Sequence, residues 1–386
     1  MAKKYILADK FFYADSTKGR GYLEVQDDKF GKFYEELPDP SVEVIDYSGK
    51  WLAPGFVDIH IHGFNGVDVM DNNWEDVITT MSESLLSCGV TSFLPTTLTA
   101  EYELLKEVVK GLGEHYKEAK GAKIQGIYLE GPYFTKEYKG AQNPLYMRSP
   151  SVEEFHKWQK AAYGLIKKIA VAPELPGAYD FINQVVQEGV VVALGHSNAT
   201  FNEAKCAVDA GASVWVHAYN GMRGLTHREP GMVGAVMSQK HTYAELICDG
   251  HHVHPNAAQI LLNAVGHDHV ALITDCMRAG GMPEGHYTLG EFDVEVKNGA
   301  ARLLSGNLAG SVLQLKDAVK NVVDWELATS EEAIMMASLI PAISCKINER
   351  CGKIFTSRAA DFVVLNPDMT LLATYLDGNL RYKNDQ

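Results

Sequence analysis

His60 and His62 are the residues whose types and spacing most directly allow chemistry. They end the run of residues 54–63, in which a glycine, Gly63, follows the second histidine. Side chains at positions i and i+2 of a β-strand point to the same face. Two neutral imidazoles that converge on one point are a metal-ligand arrangement. The alternative is two unrelated histidines near a strand end, so further ligands must be sought elsewhere in the chain.

Eight apolar runs rich in β-branched residues recur in the middle of the chain. Segments whose apolar positions repeat every three to four residues, such as 73–87 and 201–210, separate them. Continuous apolar runs are typical of parallel strands that are buried on both faces. Eight strand–helix units predict an α/β fold of the (β/α)8 TIM-barrel type. The runs are residues 55–62, 90–96, 123–130, 168–174, 190–196, 212–217, 243–249 and 269–275.

Metal-competent or acid–base residues end nearly all of these runs. In a barrel, the carboxyl ends of all strands meet at one rim, where catalytic residues lie. A protein without a site there has little reason to end apolar strands in histidine or carboxylate, because burying such groups unpaired is costly. The eight ends are His62, Thr96, Glu130, Glu174, His196, His217, Asp249 and Asp275.

The strand ends predict a metal-dependent hydrolytic centre. Taken singly, Glu130 could cap a loop, and His196 or His217 could be a core histidine bonded to backbone. If each residue had such a separate structural role, their shared position at strand ends would be a coincidence. A common metal site explains all of these positions at once. Asp275 is the candidate general base and acid beside a metal-activated water. Nitrogen and carboxylate ligands suit Zn²⁺, Fe²⁺, Co²⁺ or Mn²⁺, and the sequence does not choose among them.

Composition sets the size and excludes some partners. The chain has 386 residues, 46% of them hydrophobic, which is enough for a barrel with an appendage. A formal net charge of -14 argues against binding to nucleic acid or to an anionic membrane surface. The sequence contains no apolar stretch typical of a signal peptide or a membrane span. Its six cysteines lack CxxC spacing, so we expect reduced thiols and a cytoplasmic location.

Short strand patterns at both ends predict a second, smaller domain. Residues 5–7, 21–25, 42–46 and 360–365 read as strands separated by charged and Gly/Pro turns. We therefore predict a small β-sandwich domain from residues 1–53 plus 355–386, and a barrel over residues 54–354. Residues 290–299 read as a hairpin with an Asn-Gly turn, either a flap over the site or a plain surface hairpin.

Seven short segments, with the histidine pair and Asp275, carry a resemblance to a known family. The chain resembles the amidohydrolase superfamily and, within it, the N-acetylglucosamine-6-phosphate deacetylases, from about residue 54 to residue 311. The segments are Leu129-Glu130-Gly131-Pro132-Tyr133, Lys139-Gly140-Ala141-Gln142-Asn143-Pro144, Gly195-His196-Ser197, His217-Ala218-Tyr219-Asn220-Gly221-Met222, Arg228-Glu229-Pro230-Gly231, Asp249-Gly250-His251-His252-Val253 and Gly306-Asn307-Leu308-Ala309-Gly310-Ser311.

The resemblance implies a role for each metal-site residue. It makes Glu130, His196 and His217 the principal metal ligands. It makes His60 and His62 the extra pair of members that hold two metals, so one or two divalent metals per chain are implied. Asp275 matches the general base and acid.

The resemblance also implies the sugar-phosphate contacts. Arg228 and His252 match groups that meet the 6-phosphate and the ring hydroxyls. At Gln142 this chain departs from members whose histidine orients the acetamide carbonyl. A homodimer is also implied, in which the partner subunit can contribute to the phosphate site. The remaining matched positions contact the sugar largely through backbone: Ala141, Asn220, Gly221, Leu308, Ala309 and Gly310.

The function predicted from the sequence is hydrolysis of the acetamide of N-acetyl-D-glucosamine 6-phosphate to D-glucosamine 6-phosphate and acetate. Two other functions stay open. One is another hydrolase or deaminase reaction of the same superfamily, against which Arg228 and His252 argue, because a neutral heterocycle needs no phosphate clamp. The other is a catalytically inactive barrel that serves as a binding module, against which the complete ligand set argues.

Overall fold

A parallel barrel forms the centre of the computed structural model, which describes residues 3–384. Every apolar run predicted to be a barrel strand overlaps one. Each strand is hydrogen-bonded in parallel to its neighbour in chain order. The barrel strands, numbered here 1 to 8 along the chain, are Phe56–Ile61, Val90–Thr97, Ile127–Tyr133, Ile166–Val171, Val191–Leu194, Val214–Trp215, Tyr243–Ile247 and Val270–Ile273.

Helices follow the barrel strands in alternation. One helix lies between each pair of consecutive strands, and three more follow strand 8. Their apolar faces pack on the strands in one continuous core. The helices are Trp74–Ser84, Tyr102–His115, Val152–Ala161, Ala178–Gln187, Phe201–Asp209, Gly231–Ser238, Pro255–Val265, Leu315–Asp324, Ser330–Ala337 and Leu339–Ser344. Short 3₁₀ turns cover Leu85–Cys88, Tyr116–Glu118, Lys136–Tyr138 and His267–His269.

Backbone hydrogen bonds close the barrel between its first and last strands. The Asp275 amide donates to the His60 carbonyl at 2.9 Å, and the His62 amide donates to the Cys276 carbonyl at 2.8 Å. Closure therefore brings the ends of strands 1 and 8 together at the carboxyl rim. Residues more than 200 positions apart in the sequence become neighbours there.

Both chain termini build a separate eight-stranded sheet with its own hydrophobic core. Lys3–Phe12 pairs in parallel with Glu43–Pro54, and the other pairings are antiparallel. The predicted fold class, a barrel with a small β domain from both termini, is confirmed. The other strands of this sheet are Thr17–Lys18, Gly21–Gln26, Lys29–Tyr34, Phe362–Leu365, Leu371–Leu376 and Asn379–Lys383.

A small three-stranded antiparallel sheet follows barrel strand 8. It comprises Gly285–Leu289, Phe292–Lys297 and Ala300–Leu303, so the predicted hairpin has a third strand. Asn298 and Gly299 form its turn with positive φ angles of 51° and 73°, as an Asn-Gly turn requires. Shorter strands are Gly63–Phe64, Val67–Asp68 and Lys123–Ile124. Among the described residues, no helix is both long and apolar enough to span a membrane.

Candidate metal centre and active site

Six side chains with metal-ligating atoms converge at the carboxyl rim of the barrel. They form two groups, and within each group the ligand atoms lie within 4.8 Å of one another. All six residues are buried. The first group is His60, His62 and Asp275, and the second is Glu130, His196 and His217. The structure thus brings together every residue that the sequence predicted as a metal ligand or as the general base.

The backbone at this rim is held in an unusual conformation. His196, His217 and Asp275 have positive φ angles of 46°, 26° and 50°. Such angles are uncommon for residues other than glycine and concentrate at functional sites. Gly221 also has a positive φ, and an added Cβ there would lie 2.9 Å from Nδ1 of His196. This close approach explains why a glycine stands at that position.

Outer hydrogen bonds fix the orientation of the second histidine group. Nδ1 of His196 lies 2.9 Å from the Tyr138 carbonyl oxygen, and Nδ1 of His217 lies 3.1 Å from that of Asn220. A carbonyl only accepts, so each Nδ1 carries the hydrogen and each Nε2 presents a lone pair. The two Nε2 atoms are 3.2 Å apart, and they lie 3.2 and 3.1 Å from Oε1 of Glu130. Three electron-rich atoms thus face one point.

The first histidine group is arranged in the same way. Nδ1 of His62 lies 3.1 Å from the Thr96 carbonyl oxygen, and its Nε2 lies 3.1 Å from Oδ1 of Asp275. His60 turns Nδ1 to the carboxylate of Glu245 at 3.0 Å. The buried Nε2 of His60 has no hydrogen-bond partner among the described residues. Four lone pairs and two carboxylates therefore converge, which demands positive charge between them.

The pKa values of these groups also indicate that positive charge is needed at the centre of the site. Burial alone lowers the pKa of His60, but nearby carboxylates, Glu130 foremost, outweigh it and raise that pKa to about 9. Burial also raises the pKa of Glu130, but the charge of a protonated His60 and hydrogen bonds from His196 and His217, when these are protonated too, hold it well below its usual range. Without a cation, protons would have to supply the positive charge. The donor set, imidazole nitrogen and carboxylate oxygen, fits a divalent metal ion.

A cavity of about 330 Å³ opens over this centre. Its volume is within the range of small-ligand sites. Leu289 of the three-stranded sheet forms part of its wall, so that sheet does cover one side of the site. Seven of the predicted sugar-contacting residues line the cavity: Ala141, Gln142, Asn220, Gly221, His252, Leu308 and Gly310.

Two predicted sugar-contacting residues lie elsewhere. Ala309 is fully buried in the core of the three-stranded sheet, between the two lining residues Leu308 and Gly310. Arg228 is exposed on the loop before the helix Gly231–Ser238, outside the residues that line the cavity. Within one chain, the predicted phosphate-binding guanidinium therefore does not form the cavity wall.

Gln142 is held by contacts at both ends of its amide. Its Nε2 donates to Oε2 of Glu130 at 2.5 Å, and its Oε1 accepts from the Thr99 amide at 2.7 Å. The side chain is 4% exposed. These contacts make Gln142 a support for the Glu130 carboxylate, and its Nε2 retains a second N–H that can meet a substrate.

His252 lines the cavity and is oriented by the carboxylate of a neighbouring residue, Asp249. Oδ2 of Asp249 lies 2.6 Å from Nδ1 of His252, and Oδ1 of Asp249 accepts two backbone N–H groups of the same turn. Burial raises the pKa of Asp249, but its bonds to His252 lower it overall. Asp249, which the sequence marked as a strand end, therefore orients His252. Glu174, another marked strand end, binds Ser197 and Asn198 in the loop after His196.

Two charged residues near the centre were not assigned a role from the sequence. Lys168 and Glu245 lie in the middle of barrel strands 4 and 7, fully buried, and form an ion pair. The sequence did contain a signal. A charge within an apolar run that is buried on both faces must find a partner, because an unpaired buried charge is costly.

Fold and site together define the class of protein. A (β/α)8 barrel with histidine and carboxylate ligands at its carboxyl rim is the architecture of a metal-dependent hydrolase. The amidohydrolase family model matches residues 51–381. The chain belongs to the amidohydrolase family.

Within this family, the chain is similar to several individual sugar-phosphate deacetylases. The chain is 42% identical over 330 residues to N-acetylglucosamine-6-phosphate deacetylase of Vibrio furnissii, covering 85% of this chain and 82% of the relative. It is 41% identical over 340 residues to N-acetylgalactosamine-6-phosphate deacetylase of Escherichia coli O157:H7, covering 88% and 90%. A variant of the Mycobacterium smegmatis N-acetyl-D-glucosamine-6-phosphate deacetylase, solved in complex with N-acetyl-D-glucosamine-6-phosphate, superposes with a TM-score of 0.92 at 29% identity, covering 99% and 100%.

Proposed function

We propose that this protein hydrolyses the acetamide of N-acetyl-D-glucosamine 6-phosphate to D-glucosamine 6-phosphate and acetate. The observation that carries the proposal is the position of Asp275. Its Oδ1 lies 3.1 and 3.5 Å from Nε2 of His62 and His60, at the wall of the cavity that would take the sugar. A carboxylate there can exchange protons with the reacting atoms. The named relatives support the substrate class, an amino-sugar phosphate.

The metal-ligating residues divide into two sets in this proposal. Glu130, His196 and His217 would hold one divalent cation, and His60 with His62 would hold a second. A cation bound there supplies Lewis acidity, which lowers the pKa of water, polarises the acetamide carbonyl and stabilises developing negative charge. Glu130 faces both sets, because its Oε1 contacts His196 and His217 while its Oε2 lies 3.2 Å from His62.

Asp275 moves the protons of the reaction. Burial raises its pKa, but positive charge on His60 and a hydrogen bond from His62 lower that pKa overall, which favours the carboxylate form. A cation bound between these residues would favour the carboxylate in the same way. It accepts a proton from the attacking water and then donates that proton to the departing amine nitrogen. One residue thus acts as general base and then as general acid, and no second titrating group is required.

Substrate orientation is assigned to the cavity wall and to Arg228. His252 and the backbone near Asn220 and Gly221 meet the sugar hydroxyls. The Arg228 guanidinium suits a phosphate by forked hydrogen bonds. Because Arg228 is exposed at the protein surface, we propose a homodimer in which the loop carrying it meets the phosphate site at the subunit boundary. Light scattering should then give twice the mass of one chain.

A deacetylation assay combined with elemental analysis tests the function. Purified protein is expected to contain a divalent metal and to release acetate from N-acetyl-D-glucosamine 6-phosphate. The unphosphorylated sugar serves as the matched control and should react far more slowly. Equal rates on both sugars would contradict the assignment of a phosphate-binding site. Purified protein that contains no metal would favour the alternative of a catalytically inactive binding module.

The galacto epimer is a second candidate substrate. The relative named for N-acetylgalactosamine 6-phosphate is 41% identical to this chain, against 42% for the glucosamine enzyme. The two sugars differ only in the configuration at C4, so the acetamide chemistry is the same for both. The ratio of kcat/KM values for the two epimers decides between them, and a ratio in favour of the galacto sugar would transfer the proposal to it.

A further inference from the structure

The buried pair Lys168–Glu245 lies directly beneath the metal-ligating residues. The Lys168 ammonium bonds to Oε1 of Glu245, and both side chains are fully buried. The ammonium also lies 3.8 Å from the ring centroid of Tyr128, whose ring meets His60 edge-on at 5.0 Å. The ion pair therefore belongs to one compact cluster with His60.

The two oxygens of Glu245 face different partners. Oε1 accepts from Lys168, whereas Oε2 lies 3.0 Å from Nδ1 of His60 and accepts from the His217 amide at 3.2 Å. His60 and His217 belong to different metal-ligating groups. A single carboxylate oxygen thus contacts one residue from each group.

We infer that Glu245, with Lys168 as its counter-charge, is a positioning residue that fixes the tautomer of His60 and so directs Nε2 of His60 towards the cation site. The carboxylate can only accept, so Nδ1 of His60 must carry the hydrogen. The ring is then left with its lone pair on Nε2, the atom that forms no hydrogen bond within residues 3–384. If Nδ1 met a donor instead, the hydrogen would move to Nε2 and the ring could not ligate.

Lys168 offsets the energetic cost of burying the Glu245 carboxylate in the barrel interior. A buried charge without a partner is strongly unfavourable, whereas a hydrogen-bonded pair is not. The Tyr128 ring gives the ammonium a second favourable contact. This inference rests on the metal centre proposed above, and the test must separate the failure of one from the failure of the other.

Two double variants form a matched pair for the test. Lys168→Met/Glu245→Gln removes both charges but keeps an amide oxygen that can accept from His60. Lys168→Met/Glu245→Met removes both charges and the acceptor, with a side chain of similar length. Both variants avoid an unpaired buried charge, so they differ in the acceptor that Glu245 offers to Nδ1 of His60 and to the His217 amide. The single substitution Glu245→Gln is avoided, because one amide oxygen cannot serve Lys168 and His60 together.

The readout is zinc content per chain after dialysis against buffers of defined free Zn²⁺. Loss of a residue that orients a metal-ligating histidine costs about 10- to 100-fold in metal affinity. In Lys168→Met/Glu245→Met we expect this loss of zinc affinity for the less tightly bound ion. In Lys168→Met/Glu245→Gln we expect a zinc affinity near that of the wild type. Equal affinities in the two variants would overturn the inference. A wild-type protein that binds neither zinc nor Fe²⁺, Co²⁺ or Mn²⁺ under the same dialysis would instead overturn the metal centre itself.

Circular dichroism checks that the double variants fold. A third variant covers the case in which they do not. Glu245→Asp keeps the charge beside Lys168 but withdraws the carboxylate from His60 by one methylene. It should show the same loss of zinc affinity, and wild-type affinity in that variant would count against the positioning role.

Discussion

Substitution of Asp275 by asparagine is the sharpest test of the proposed chemistry. Asparagine has the same size and keeps an oxygen near Nε2 of His62, where Oδ1 now lies 3.1 Å away. It lacks a basic carboxylate, so it cannot take a proton from water. The complete Glu130, His196 and His217 group is untouched. We therefore expect the variant to fold and to bind metal but to turn over very slowly.

The size of the loss follows from the burial of Asp275. General acid–base catalysis by a positioned side chain contributes about 10²- to 10⁴-fold. Asp275 is 8% exposed, so bulk water has little access to replace it as a base. We therefore place the loss in kcat in the upper half of that range, about 10³- to 10⁴-fold. This loss corresponds to about 4–5 kcal/mol of transition-state stabilisation, since each tenfold is about 1.4 kcal/mol.

Acetate release and metal content should be measured on the same preparation. Asp293→Asn, at an exposed position of the three-stranded sheet, is a matched control of the same chemical change and should retain wild-type activity. An Asp275→Asn variant with full metal content and a kcat within tenfold of wild type would refute the assignment of the general base. Loss of all metal would instead show that Asp275 is an essential ligand.

Three further predictions concern the remaining side chains. The double variant His60→Ala/His62→Ala should lower metal content from two ions per chain to one, because one complete donor group remains. Gln142→Leu should lower kcat about 10- to 100-fold with little change in KM, because it removes the donor to Glu130. Arg228→Met should raise KM for the 6-phosphate about 10- to 100-fold, the value of a charge-assisted contact of about 1.5–3 kcal/mol, and leave the rate on the unphosphorylated sugar unchanged.

Each of these predictions has a distinct contrary outcome. Complete metal loss in the histidine double variant would show that the ligands are ranked wrongly. An increase in KM without a change in kcat for Gln142→Leu would make this residue a substrate contact instead of a support for Glu130. For Arg228→Met, Arg223→Met is a control in a neighbouring loop position, because Arg223 bonds to the Asn198 carbonyl. Equal effects of both substitutions would indicate general disturbance of the loop.

The sequence was sufficient to predict the barrel and the convergence of these histidine and carboxylate side chains at its rim. Barrel strands are buried on both faces, so each leaves an uninterrupted apolar run, and the carboxyl ends of parallel strands share one rim by geometry. His196, His217 and Asp275 each stand within two residues of a strand end. Their approach to one another therefore follows from fold class alone, without knowledge of side-chain packing.

Contacts between loops could not be read in the same way. Gln142 meets Glu130 and the Thr99 amide because an irregular segment folds back over the rim, and no periodic pattern encodes that path. The exposure of Arg228 likewise depends on how its loop leaves the barrel. A motif identifies such residues, but their distances depend on three-dimensional packing.

The four histidines differ in how strongly the sequence determines their orientation. His62, His196 and His217 turn Nδ1 to backbone carbonyls of Thr96, Tyr138 and Asn220. Almost any residue supplies a carbonyl, so these acceptors leave no trace in the residue types.

His60 lies deepest, with no exposed surface, and its acceptor is a carboxylate. A carboxylate at that depth requires a counter-charge, which Lys168 supplies from barrel strand 4. The residues that orient His60 are therefore visible in the sequence, as two charged residues within apolar strands. Substitutions at Glu245 and Lys168 should thus change the orientation of His60 while leaving the histidine itself in place.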